Sequence, residues 1–122
     1  EEATAAMAAL FDSTGLQMVT EERLLGAATT LASCGIAYAM RYVRASTEGG
    51  VELGFKARDA QRIVMQTMKG AVDLLQASGS HPEVEIDKVT TPGGMTIRGL
   101  NEMEHAGFTS SVIRGLKAGM SK

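Results

Sequence analysis

The stretch from Lys56 to Ser78 limits what this chain can fold into more than any other. Ala60, Val64, Met68, Ala71 and Leu75 recur at steps of three and four, so they share one helix face, with Ile63, Val72 and Leu74 beside them. Gly79 follows as a natural stop. Leu16-Gln17-Met18-Val19 is the only strand-like piece in the first half, and strands are too few for a sheet. Met7, Leu10 and Phe11 predict a helix over Ala5 to Asp12, stopped by Gly15. Thr20 reads as an N-cap with Glu21 and Glu22 in the first turn, opening a helix through Leu24, Leu25, Ala28 and Leu31. The small residues from Ala32 to Ala37, with Gly35 among them, predict a break or a tight helix contact. The helical pattern resumes with Tyr38, Tyr42, Val43 and Ala45; Gly49-Gly50 interrupts it and Gly54 ends it. His81-Pro82 opens a short polar segment through Lys88, with His81 as a loop residue. Two more helices are predicted, from Met95 to Ala106, closed by Gly107, and from Ser110 to Met120. The fold class is therefore all-α, a helical bundle of five to seven pieces.

Such a bundle must be built from small and flexible residues. The 122-residue chain, enough for one domain, holds fourteen Gly and eight Met but only three Phe, two Tyr and no Trp. Small residues let helix backbones approach closely, and Met fills irregular gaps. A glycine inside a helix costs about 1 kcal/mol against Ala, so close packing is expected to offset Gly49 and Gly50.

A formal net charge of −2 gives no general attraction to nucleic acid or anionic lipid, and neither is an expected partner. No apolar run reaches the roughly 18 residues of a membrane-spanning helix. One cysteine, Cys34, cannot form an intramolecular disulfide; it points to a reducing compartment or is neutral on the question, and it reads as a small buried hydrophobe in a chain expected to be cytoplasmic. The start, Glu1-Glu2-Ala3-Thr4, has neither a basic signal region nor an initiator Met and suggests a fragment.

Few residues carry chemistry. The chain has no Gly-x-Gly-x-x-Gly, no phosphate-binding loop of the Walker type and no Gly-x-Ser-x-Gly. Two histidines far apart and one cysteine make no metal site, and His105 suits the last turn of its helix. The run Val89-Thr90-Thr91-Pro92-Gly93-Gly94-Met95-Thr96-Ile97 is different. Thr91 can cap a helix whose first position is Pro92. The amides of Gly93, Gly94, Met95 and Thr96 could then form a concave anion site, with a carboxylate as its guest and the Thr96 hydroxyl within reach. A plain capped helix after a Pro-Gly turn fits the same residues.

These residues resemble a known signature. Thr91-Pro92-Gly93-Gly94-Met95-Thr96-Ile97, then Leu100 and Gly107-Phe108, is similar to the motif of the pyrroline-5-carboxylate reductase family. Ala28-Thr29-Thr30-Leu31 with Gly35 and Ala37-Tyr38, Glu48-Gly49-Gly50-Val51 with Leu53-Gly54, Gln66-Thr67 with Gly70-Ala71, and Ser78 with His81-Pro82 follow in register over residues 20–122. Several motifs in order favour the anion site over the plain capped helix. One stretch departs: the family's Leu-Ser-Gly-Ser-Gly-Pro-Ala-Tyr reads here Leu31-Ala32-Ser33-Cys34-Gly35-Ile36-Ala37-Tyr38, and no role is carried over onto it.

The resemblance implies the C-terminal helical dimerisation and substrate-binding domain over residues 21–122, of the type that ends 6-phosphogluconate dehydrogenases. Residues 1–20 would be a remnant of the last helix and strand of a Rossmann domain. It further implies NADPH or NADH as cofactor, bound mainly by the absent domain, and reduction of 1-pyrroline-5-carboxylate to L-proline, the last step of proline biosynthesis. Thr96 matches the family's active-site Thr, whose hydroxyl hydrogen-bonds the ring nitrogen. Thr91 stands where many members have Ser, near the substrate carboxylate, and the amides of Gly94 and Met95 hold that carboxylate. A homodimer of interleaved helices is implied, with rings of dimers as a further level of assembly. The segment alone is expected to be inactive. The rival readings are a helical domain of another Rossmann-linked dehydrogenase and a non-catalytic dimerisation module.

Overall fold

The structure is a computed structural model, and it describes residues 22–120. Its elements are α1 (Glu22–Thr29), a π-helical turn (Thr30–Cys34), α2 (Gly35–Glu52), α3 (Ala57–Ser78), α4 (Pro82–Lys88), α5 (Met95–His105) and α6 (Phe108–Met120). No strand occurs among the described residues. The expected helix over Ala5 to Asp12, the stop at Gly15, the strand-like Leu16 to Val19 and the Thr20 cap lie outside them.

The described residues divide into two compact units, one of residues 22–42 with 109–120, the other of Val43–Phe108. In the first unit the small-residue stretch after Leu31 does not break the chain out of helix. The backbone widens into a π-turn instead, and Gly35 N–H donates to the Thr30 carbonyl five residues back. Ala32, Ser33 and Cys34 have short side chains that crowd such a turn little. The Thr30 hydroxyl donates to Met120 Sδ at 3.1 Å and the Tyr38 hydroxyl to the Gly115 carbonyl at 3.0 Å, joining the turn and α2 to α6. Cys34 is free and half-buried rather than buried. Helix α6 begins at Phe108, two residues before the expected Ser110.

In the second unit α2 runs straight through Gly49 and Gly50, which do not interrupt it. A Cβ on Gly50 would lie 2.8 Å from the Cβ of Ala60, whereas one on Gly49 or Gly70 would meet nothing within 4 Å in this chain. Close packing thus accounts for one of these glycines, at the crossing of α2 with the start of α3. Ala60 is 2% exposed and is the buried apolar residue of the described chain. Gly50→Ala should therefore overpack this crossing and cost about 1–3 kcal/mol. A thermal melt of the 122-residue protein is expected to show the loss, and an unchanged midpoint would contradict the contact.

Helix α3 starts one residue after the expected Lys56, which is its N-cap, and ends as expected at Ser78, where Gly79 with a φ of +66° closes it in the left-handed conformation. The polar segment after it, to which the sequence assigns no element, is a helix over Pro82–Lys88. His81 is its N-cap, with Nδ1 accepting from Glu83 N–H at 3.0 Å, and Pro82 occupies the first position. Acids in its first turn and Lys88 in its last complement the helix dipole. Seven residues with little apolar content show no periodicity, so only the cap signals mark this helix.

Many apolar side chains find no cover within the chain. Leu31 is 64% exposed, Met40 61% and Leu53 84%, and Ile63, Met65, Val72, Leu74, Val112 and Ile113 are exposed as well. Helices with bare apolar faces are what a shared core between two chains requires.

Candidate functional site

The link from α4 to α5 is held by local bonds at every step. Val89 N–H donates to the Ile86 carbonyl at 3.1 Å and Thr90 N–H to the Asp87 carbonyl at 3.2 Å. The Thr90 hydroxyl closes onto the Ile86 carbonyl. Thr91-Pro92-Gly93-Gly94 then forms a β-turn in which Gly94 N–H donates to the Thr91 carbonyl at 3.0 Å. Pro92 supplies the fixed φ of the second position, and Gly93 sits at +71°, the value a type II turn requires at the third.

This geometry corrects the expected cap. Helix α5 starts at Met95 with Gly94 as its N-cap, so Thr91 does not cap it and Pro92 is not its first residue. The turn comes first because Gly93 takes a conformation no helix contains. Gly94 has no side chain to cap with, and no side chain bonds the helix start. The amides of Met95, Thr96 and Ile97 therefore have neither an intrahelical nor a side-chain partner. Gly94 N–H is engaged by the Thr91 carbonyl, which takes Gly94 out of the expected donors Gly93, Gly94, Met95 and Thr96, and the helix start adds Ile97 to them.

The turn brings the sequence-predicted residues together. A Cβ built on Gly94 would collide with Thr91 Oγ1 and lie 3.2 Å from the Thr91 carbonyl oxygen. The Thr91 hydroxyl thus rests directly against the backbone that opens α5. Thr91, Thr96 and Met95 are exposed, Met95 at 80%, and Gly94 is half-buried. Three free amides at the positive end of a helix suit a carboxylate, and the Thr91 and Thr96 hydroxyls stand at the same end.

Two residues near this turn escaped sequence reasoning. Arg98, one turn into α5, folds back so that Nη1 donates to the Gly93 carbonyl at 3.0 Å. It locks the turn and adds positive charge beside it. Glu85, in α4, is the other. Its side chain is 9% exposed and its Oε2 lies 3.3 Å from Lys88 Nζ. Burial pushes the Glu85 carboxyl up, but hydrogen bonding to Lys88, Ser80 and Ser78 and the Lys88 charge outweigh it and hold the group below its ordinary value. Nothing in the periodicity marks Glu85, since a lone Glu in a polar segment reads as solvated.

His105 lies in the last turn of α5, as expected, and no metal-binding cluster of His, Cys, Asp and Glu exists among the described residues. No described helix is long and apolar enough to cross a membrane. An open apolar groove of about 580 Å³, lined by Gly50, Leu53, Phe55, Ile63 and Val64, shares no lining residue with the turn.

Comparison with known proteins agrees on one family. A family model described as pyrroline-5-carboxylate reductase dimerisation matches residues 22–122. The chain is 51% identical over 113 residues to pyrroline-5-carboxylate reductase 1 of Dictyostelium discoideum, covering 93% of this chain and 20% of that protein. It is 36% identical to the pyrroline-5-carboxylate reductase of Synechocystis sp., covering 90% of this chain and 41% of that one. Among solved structures, 1-pyrroline-5-carboxylate reductase from Streptococcus pyogenes matches with a TM-score of 0.82 at 32% identity, over 92% of this chain and 43% of that one. The Plasmodium falciparum pyrroline carboxylate reductase with NADP bound matches with a TM-score of 0.79 at 28% identity, over 82% of this chain and 38% of that one. The chain thus spans less than half the length of each of these relatives.

Proposed function

The chain belongs to the pyrroline-5-carboxylate reductase dimerisation family, and from that premise we propose that it forms the substrate-holding and dimerising part of an enzyme that reduces 1-pyrroline-5-carboxylate to L-proline. The observation that carries this reading is the Thr91–Gly94 turn, which delivers uncapped amides and two hydroxyls to one helix start.

The division of labour follows from what these residues offer. The described residues hold no strand followed by a Gly-rich turn and a helix, so a dinucleotide pyrophosphate has no cradle here. A reduced nicotinamide, NADPH or NADH, supplies the hydride when bound. This chain supplies the acceptor side. The amides of Met95, Thr96 and Ile97 bind the substrate carboxylate and so fix the ring. Thr91 adds a hydroxyl beside that carboxylate. Thr96 presents its hydroxyl to the ring nitrogen and steadies the protonated imine, which is the better hydride acceptor. The product gains one hydrogen on carbon and keeps the proton on nitrogen. The test is proline formation by the full-length gene product from 1-pyrroline-5-carboxylate with NADPH or NADH. A full-length protein that reduces a hydroxy-acid or sugar-acid substrate instead would overturn the reading.

The second half of the proposal is the homodimer, formed by interleaving helices. Exposed apolar faces on α2, α3 and α6 and the bare glycines at 49 and 70 support it. The 122-residue protein is expected to sediment as a dimer at micromolar concentration. A stable monomer would count against a core shared between two chains.

A further inference from the structure

The peptide between Gly93 and Gly94 has no side chain on either flank to limit its rotation. Hydrogen bonds hold it instead, one at each edge. Its N–H, that of Gly94, donates to the Thr91 carbonyl at 3.0 Å. Its carbonyl, that of Gly93, accepts from Arg98 Nη1 at 3.0 Å. A peptide is a rigid plane with N–H and C=O on opposite sides, so this one cannot turn without loosening both bonds. It is the last plane before the N-cap Gly94, whose φ of −80° leads into α5. Its orientation therefore sets where the amides of Met95, Thr96 and Ile97 point relative to the Thr91 hydroxyl.

The direction Arg98 takes is informative. Glu102 lies four residues further along α5, the spacing of a helix ion pair. Arg44 with Glu48 and Lys69 with Asp73 form such pairs in α2 and α3. Arg98 reaches the other way, back past the start of its helix, and among the described residues no carboxylate pairs with it. The start of a helix carries positive potential, so a cation there is unfavourable by itself. The placement becomes favourable when an anion sits at the same helix start.

We propose that Arg98 is a positioning residue for the substrate carboxylate: it pins the Gly93–Gly94 peptide, and with it the amides that open α5, and its unpaired charge adds to their pull on the anion. This rests on the reading of that helix start as the substrate site.

The test compares wild-type full-length protein with Arg98→Met and Arg98→Lys. Met keeps the reach and helix preference of Arg without its charge or donors. Lys keeps a cation and a donor for the Gly93 carbonyl, which takes a single bond from Arg98. The KM for 1-pyrroline-5-carboxylate is expected to rise about fivefold in Arg98→Met and to stay within about twofold in Arg98→Lys, the scale of one exposed charge-assisted contact. The kcat and the KM for the dinucleotide should stay within about twofold in both, the pattern of lost ground-state binding. Raising the ionic strength should raise the substrate KM of the wild type more steeply than that of Arg98→Met, because salt screens an exposed charge. Amide hydrogen exchange over residues 89–97 should quicken in Arg98→Met while the middle of α3 is unchanged. An unchanged substrate KM in Arg98→Met overturns the proposal. So does a Lys variant as impaired as the Met variant, or a dinucleotide KM that rises in parallel. If the wild-type protein makes no proline, the functional reading fails. The exchange comparison still decides the pinning: unchanged exchange over 89–97 in Arg98→Met refutes it.

Discussion

Thr96→Ala in the full-length protein is expected to lower proline formation at least tenfold, with Thr96→Ser keeping most of the activity. Thr96 is the second residue of α5, at the end where the helix start has no side-chain cap. In the proposed function, a substrate carboxylate held by the adjacent amides would bring its ring nitrogen toward this hydroxyl. A hydrogen bond to a group that is charged in the transition state contributes about 1–3 kcal/mol, and each ~1.4 kcal/mol is a factor of ten in rate. Alanine leaves the helix intact, since it favours helix more than threonine does. The loss should therefore appear in kcat, with the thermal midpoint unchanged or raised. Turnover near wild type would remove Thr96 from the mechanism.

Gly94→Ala should act on binding instead. Its Cβ would meet the Thr91 hydroxyl and the Thr91 carbonyl oxygen at once. The hydroxyl can rotate away, but then it leaves the site. The carbonyl cannot move without lengthening the bond from Gly94 N–H that closes the turn. Overpacking of this kind costs about 1–3 kcal/mol. Taken from substrate affinity, that raises the KM for 1-pyrroline-5-carboxylate by about tenfold or more, while the KM for the dinucleotide stays put. An unchanged substrate KM would mean that the turn is not the place where the carboxylate is held.

Helices that announce themselves locally were legible from the residues alone. The periodic face of α3, its stop at Gly79 and the end of α5 near His105 all follow from spacing and cap chemistry within one helix. Helix α4 was missed because its stability signals are caps rather than periodicity. The Thr91–Thr96 motif was legible as a set of residues, but its local geometry was not. Thr-Pro-Gly-Gly fits both a capped helix and a type II turn, and the difference is whether Gly93 adopts a left-handed φ. That choice takes Gly94 N–H out of the free amides and adds that of Ile97.

Local chemistry in the sequence was enough to determine the helical class, most helix ends and the signature around Thr91 to Thr96, because each depends on residues a few positions apart. The tertiary structure decided what depends on residues far apart or on burial. The Thr30 hydroxyl finds Met120 ninety positions away, Gly50 meets Ala60 across a helix crossing, and Glu85 is buried rather than solvated. The environment of such groups is set by which surfaces the helices bring together, and no local pattern encodes it.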